Sequence, residues 1–387
     1  MKPTICFVLT SPLVLNHYLL DHLSALADYY EITVCINTKS TSISDNLDTR
    51  VQVNHIDITR PIKVTQDLKT LFALLRVFKC KRFSAVHSLT PKGGLLGMLA
   101  AKLANIQLRT HTFTGQVWVT QTGFKRYLLK LADKIIASMA THLQADSYSQ
   151  ARFISLEGIA SLDKITVFGS GSLNGVNLKK FKSNAIKRLH IRTQLSIPNN
   201  AVVFLFLGRM NYEKGIMELV YAFKQLQQEY NTTYLLLVGP DEAQILKHVQ
   251  SVLANQLTNI RYVGLTSTPE QFIDASDVLC LPSYREGFGS SIIEAAAMGV
   301  PSIASRIYGI TDAIIDGRTG LLVQAKDTQS LYQAMKTMLD REVRDQLGLQ
   351  AQERAIREFS SERLTEAWLH YYANHLSFNN HSKRQST

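Results

Sequence analysis

Glu286 and Glu294 stand eight positions apart around Gly287-Phe288-Gly289-Ser290-Ser291-Ile292-Ile293. Small residues running into an apolar stretch read as a turn that opens a helix. The start of a helix presents backbone N–H groups and a partial positive charge, which suit a phosphate. A carboxylate on either side suits sugar hydroxyls. A plainer reading stays open. Ser291 and Glu294 match a capping box, and Glu286 would then be a solvated loop charge. Gly299 and Pro301 supply ordinary stop signals for that helix.

A second segment bears on the same chemistry. The apolar run 202–207 leads into Gly208-Arg209-Met210-Asn211-Tyr212-Glu213-Lys214-Gly215. Arg209 can grip phosphate oxygens with its planar fork, and Lys214 adds a compact charge. A surface turn with solvated cations is the alternative. A strand, a glycine, two cations and a helix-opening glycine, in that order, favour a diphosphate. Together the two segments point to a nucleotide sugar.

With these residues the chain resembles the retaining nucleotide-sugar glycosyltransferases of family 4, which have the GT-B fold. The resemblance extends through Val263-Gly264, Ser276-Asp277, Leu281-Pro282-Ser283 and Gly317-Arg318-Thr319-Gly320-Leu321. It implies that Arg209 and Lys214 hold the donor diphosphate, with Gly289 and Ser290 contributing at the helix start. It implies that Glu286 faces the donor sugar's hydroxyls and Glu294 the ribose, that the backbone around Phe288–Ser290 touches the phosphates or sugar, and that Tyr262 or Val263 lies near the base. The leaving diphosphate would be neutralised by side chains rather than by a cation, so no metal requirement is expected.

The first half matches more loosely, through Leu89-Thr90-Pro91-Lys92-Gly93-Gly94 and Arg109-Thr110-His111-Thr112-Phe113-Thr114-Gly115-Gln116-Val117-Trp118. These segments are similar to the subgroup that builds bacterial O-antigen, capsule and protein-glycan precursors on a lipid carrier. Within it, His111 takes the place of a cleft histidine beside the reacting sugar. Family members often carry glycines after the first strand; here that acceptor-side loop is Thr10-Ser11-Pro12-Leu13. Asn177 stands where an aspartate is common.

The resemblance therefore implies transfer of a hexose or N-acetylhexosamine, from a UDP-sugar by preference, to an undecaprenyl-diphosphate-linked saccharide. Two rivals remain: a nucleotide-sugar epimerase on the same fold, and a non-catalytic subunit of a polysaccharide assembly complex.

These residues need elements to position them. Short apolar runs at 5–10, 32–37, 85–88, 108–113 and 165–168 recur at 202–207, 234–238, 260–263, 278–281 and 302–304, with helical spacing between them. Runs apolar on both faces suit parallel strands covered by helices. The expected fold is α/β, two Rossmann-like doubly wound domains facing across a cleft. The glycine- and serine-rich stretch 169–175 marks the seam. The domains are placed at 1–175, acceptor-binding, and 176–360, nucleotide-sugar-binding. A helix at 361–376 packs back on the first, and 377–387 is a disordered tail.

Bulk properties agree with that frame. A chain of 387 residues with 45% hydrophobic and 19% charged content is long enough for two cores. Cys6, Cys35, Cys80 and Cys280 are widely spaced, which suits free thiols in a reducing compartment. No apolar run reaches the ~20 residues of a membrane span. The first 170 residues carry 19 Lys and Arg against 11 Asp and Glu, so an anionic partner belongs to that half. Nucleic-acid motifs are absent. Segments 71–83 and 124–134 mix apolar residues with cations, among them Arg76, Lys79, Lys125, Arg126, Lys130 and Lys134. They imply peripheral attachment to an anionic membrane surface, on the inner face of the cytoplasmic membrane. Most of their apolar residues are expected to face the core, leaving the cations to meet the surface.

Overall fold

The computed structural model describes residues 2–39, 41–59, 63–253 and 259–382, and divides into two units, Met1–Asn174 with Ser361–Thr387, and Gly175–Ser360.

In the first unit β1 (Thr4–Leu9), β2 (Glu31–Ile36), β3 (Gln52–His55), β4 (Ala85–Leu89), β5 (Leu108–Phe113), β6 (His142–Ala145) and β7 (Ile165–Thr166) form one sheet. Their order is β3-β2-β1-β4-β5-β6-β7, and the pairs are parallel. The chain winds outward from β1 in one direction and then jumps back to β4. The carboxyl ends of β1 and β4 therefore flank a topological switch point, where α/β sheets take ligands. β1, β2 and β4 are buried nearly end to end, which is why their runs are apolar on both faces.

The second unit repeats the plan. β8 (Val202–Leu207), β9 (Thr233–Val238), β10 (Ile260–Val263), β11 (Val278–Leu281), β12 (Ser302–Ser305) and β13 (Gly320–Val323) lie in the order β10-β9-β8-β11-β12-β13. Its switch point falls between β8 and β11, the strands that lead into the two segments carrying Lys214 and Glu286.

The helix Ser361–Ser382 belongs to the first unit and anchors there through aromatic residues. Trp368 and Tyr372 are fully buried. The Trp368 ring stacks on His87 at 5.0 Å and on His22 at 5.5 Å. Tyr371 shares a hydrogen bond of 2.7 Å with Thr110 Oγ1. This helix runs on to Ser382, into the stretch 377–387 that the sequence reads as a tail. Residues 377–382 contain neither Gly nor Pro, and each residue added to an existing helix gains a backbone hydrogen bond. Residues 383–387 lie outside the described residues.

Candidate functional site

The turn after β8 and the loop after β11 are pressed together by a glycine. Gly215 sits in the left-handed region (φ 67°) at the start of the helix Ile216–Glu229. A Cβ there would stand 2.0 Å from the Pro282 carbonyl oxygen. Only glycine allows both that conformation and that approach. The contact is continued by the Tyr284 N–H, which donates to Glu213 O at 2.8 Å, and by an Arg285–Glu213 ion pair at 2.9 Å. Tyr284 OH donates to Glu218 at 2.5 Å.

This stitching brings Lys214 to Glu286. The ammonium donates to Glu286 Oε1, and Ser283 Oγ donates to the same oxygen at 2.8 Å. Both ends of the pair are largely withdrawn from solvent. Arg209 instead reaches outward and pairs with Glu242 in the loop after β9, at 3.0 Å. About half of the Arg209 side chain remains exposed. Each cation thus has a carboxylate partner that an incoming anion would have to replace.

The helix Ser290–Ala297 begins at Gly289, itself left-handed (φ 84°), with no side-chain cap on its first N–H groups. That removes the capping-box reading: Glu294 does not reach back to the helix start. Its carboxyl is pushed up to about 7, mainly by burial; Glu270 adds to the rise and Lys180 opposes it. Lys180 and Glu270 lie 3.7 Å apart. The helix start is therefore open to an anion, with a carboxylate before it and a near-neutral carboxyl one turn in.

The Phe288 side chain is buried, 5.4 Å from the Phe359 ring, so its backbone is the part left for a ligand. Tyr262 and Val263 end β10, two strands away from β8. Tyr262 is exposed, and Val263 O accepts from Gly239 N at 3.0 Å. They are not drawn into the Lys214–Glu286 cluster.

His111 and Ser11 belong to the other unit. His111 is on β5, buried, with Nδ1 2.8 Å from Ser88 Oγ. A Cβ on Gly94 would come within 2.4 Å of its ring, so Gly94 is what makes room for it. Burial pushes the imidazole down to about 3, and it stays neutral near pH 7. Ser11 caps the helix Pro12–Tyr18, accepting from Leu13 N at 3.3 Å, with Pro12 in the first turn. A serine–proline helix start thus occupies the turn where the family often has glycine.

Sequence reasoning missed Glu242, Ser283 as a partner of Glu286, and the Glu213–Arg285 tie. Glu242 and the Glu213–Arg285 tie have partners 33 and 72 residues away, which local spacing cannot signal, whereas Ser283 stands only three residues before Glu286 and its spacing was there to be read. Among the described residues no cluster of three or more His, Cys, Asp or Glu could hold a metal ion.

The model of the family "Glycosyl transferases group 1" matches residues 187–354. A Staphylococcus aureus protein, "Capsular polysaccharide biosynthesis glycosyltransferase CapM", is 31% identical over 315 residues, covering 80% of this chain and 82% of that protein. An Escherichia coli "UDP-Gal:alpha-D-GlcNAc-diphosphoundecaprenol alpha-1,3-galactosyltransferase" is 27% identical, covering 79% of each. A Campylobacter jejuni "N,N'-diacetylbacillosaminyl-diphospho-undecaprenol alpha-1,3-N-acetylgalactosaminyltransferase" is 28% identical, covering 71% of this chain and 73% of that protein. Among solved structures, Anabaena Alr3699/HepE in complex with UDP and glucose superposes with a TM-score of 0.79 at 17% identity, covering 95% of this chain and 99% of that one. Sucrose-phosphate synthase from Thermosynechococcus elongatus gives 0.81 at 22%, covering 96% and 99%. At those identities the structures speak for the fold alone.

Proposed function

We propose a donor, an acceptor and a place of work for a chain that belongs to the glycosyl transferases group 1 family. As a member it is a glycosyltransferase. The donor is a UDP-linked hexose or N-acetylhexosamine, and the acceptor is an undecaprenyl-diphosphate-linked saccharide of a capsule or O-antigen type precursor. Two relatives name such diphosphoundecaprenol acceptors, and one names UDP-Gal as donor. The anomeric configuration is retained, on the resemblance to family 4.

The observation that carries the donor assignment is the Lys214–Glu286 contact beside an uncapped helix start. In this reading the donor diphosphate takes over Lys214 and Arg209 and receives the N–H groups at Gly289 and Ser290. Fixed positive charge placed where the leaving diphosphate gains negative charge lowers the barrier to its departure. Glu286, released from Lys214 and still held by Ser283, turns to the sugar hydroxyls. Glu294 accepts from the ribose. In the first unit, His111 offers a neutral imidazole to the substrate, and the Ser11-Pro12 turn borders the acceptor.

No metal is required, because Arg209 and Lys214 supply the positive charge; sustained turnover in excess chelator is the expected result. The enzyme works on the inner surface of the cytoplasmic membrane, where a lipid-linked acceptor is held. None of the described helices is long and apolar enough to cross a membrane.

The test is a screen of nucleotide sugars against lipid-diphosphate-linked acceptors, with the new linkage determined by NMR. Transfer that depends on the lipid-linked acceptor supports the reading. Release of nucleotide with no acceptor dependence would restore the epimerase alternative.

A further inference from the structure

Two helices of the first unit show water a row of large apolar side chains. On the helix Gly123–Met139, Phe124, Leu128, Leu131 and Ile135 are exposed, Phe124 by 75%. Their spacing of four, three and four residues puts them along one side, while Ile136, Ala137 and Met139 face the sheet. On the helix Val64–Lys81, Val64, Leu68 and Phe72 are exposed at intervals of four. Both helices pack against the same third helix, Pro91–Leu103, so they share one layer. The expectation that the apolar residues of 71–83 and 124–134 mostly serve the core holds for the first, where Leu74, Phe78 and Phe83 are buried and only Phe72 is exposed, but not for the second, where Phe124, Tyr127, Leu128 and Leu131 are exposed. The core is already filled by the other side of each helix.

Charge accompanies the apolar rows. The helix Gly123–Met139 carries Lys125, Arg126, Lys130 and Lys134. Its one acid, Asp133, is buried and accepts from Trp118 Nε1 at 2.8 Å. Arg126 and Lys130 lean on Glu157, whereas Lys125 and Lys134 are exposed. On the helix Val64–Lys81 the one acid, Asp67, is held by Lys92 at 2.6 Å, and Lys69, Arg76 and Lys79 stand in solvent. An exposed apolar row flanked by cations, with no free carboxylate on its own helix, matches the boundary of an anionic bilayer. Apolar side chains enter the acyl region there, and cations meet the headgroups. A second copy of the chain would bring like charges together, so self-association fits less well.

We propose that this helix layer is the membrane-docking face. The helix Gly123–Met139 would lie in the plane of an anionic bilayer with Phe124, Leu128 and Leu131 inserted. The proposal rests on the reading of a lipid-linked acceptor and names the surface that reading needs.

The experiment is flotation of the full chain with vesicles of phosphatidylcholine alone or with phosphatidylglycerol added. Wild type should float with the anionic vesicles, and less so as salt rises. The triple change Phe124→Ser, Leu128→Ser, Leu131→Ser should abolish flotation with an unchanged far-UV spectrum, since all three side chains are exposed. The pair Lys125→Glu, Lys134→Glu should lower partitioning about tenfold or more, from the loss of two cations at the surface. Absence of flotation with anionic vesicles, or equal flotation of wild type and the triple variant, overturns the proposal. So does a wild-type dimer that the triple variant loses, which would give the face to a second copy. Transfer to a short-chain, water-soluble acceptor separates the two readings. If it persists without flotation, docking fails and the function stands. Flotation without transfer to any acceptor gives the converse.

Discussion

Lys214 donates to Glu286 although 72 residues separate them in the chain, and that contact joins the turn after β8 to the loop after β11. It exists because Gly215 lets one loop come within van der Waals distance of the other. The Lys214 ammonium and the Glu286 carboxylate neutralise each other in the structure, so a ligand anion would have to displace Glu286 to reach Lys214.

Breaking either end should be severe. Glu286→Ala and Lys214→Ala should each lower kcat/KM for the UDP-sugar by at least about a hundredfold, if both act on the transition state. Steady-state kinetics with a lipid-linked acceptor reads this directly. Near-wild-type turnover of Glu286→Ala would end its assignment.

Glu242 should behave differently. It pairs with Arg209 in a half-exposed setting, and such pairs contribute about 0–1 kcal/mol. Glu242→Gln frees Arg209 for phosphate and should tighten UDP binding by up to about fivefold, most visibly at low salt. Calorimetric titration of UDP checks it; weaker binding would mean that Glu242 positions Arg209 rather than competing for it.

Glu294 makes folding pH-dependent. Its carboxyl is raised to about 7 in the folded chain, against the usual carboxylate range when unfolded. The folded state then holds the proton more tightly, so the contribution is complete below the unfolded pKa and is lost as pH rises through about 7. Wild type should lose stability relative to Glu294→Gln between pH 4.5 and 8, by an amount on the order of 3 kcal/mol. Urea unfolding of both at several pH values measures the difference; parallel curves would refute it.

Tyr372 ties the last helix to its sheet. Thr112 Oγ1 donates to Gln144 Oε1 at 2.9 Å, so it accepts from His87 Nε2–H at 2.7 Å. His87 Nδ1 then accepts from Tyr372 O–H, also at 2.7 Å. Burial pushes His87 down to about 3 and keeps it neutral, as this chain requires. Tyr372→Phe strands Nδ1 in the core and should cost about 1–3 kcal/mol. Tyr127→Phe, at an exposed position, serves as the control and should leave the unfolding midpoint unchanged.

Much of the architecture was visible in local pattern. Strands 108–113, 202–207, 260–263 and 278–281 fall where short runs rich in apolar residues placed them. β3 and β6 escaped because Gln52–His55 and His142–Ala145 alternate polar residues into the sheet. β3 is an edge strand that needs little apolar surface. β6 lies inside, and its Gln144 is polar because it ends the hydrogen-bond chain from Tyr372. Propensity cannot foresee a partner some 230 residues away.

The sequence by itself determined the kinds of groups at the candidate site and the elements that carry them. Arg209, Lys214, Glu286 and the glycine-opened helix are short-range features, set by residue type and spacing. Tertiary structure decided which groups meet. It matched Lys214 with Glu286 and Arg209 with Glu242, turned Phe288 inward, left Glu294 near neutrality, and gave the outer face of the helix Gly123–Met139 to solvent. Those outcomes depend on burial and on contacts between distant segments. A carboxyl's charge and an apolar side chain's environment follow from what the rest of the chain packs around them.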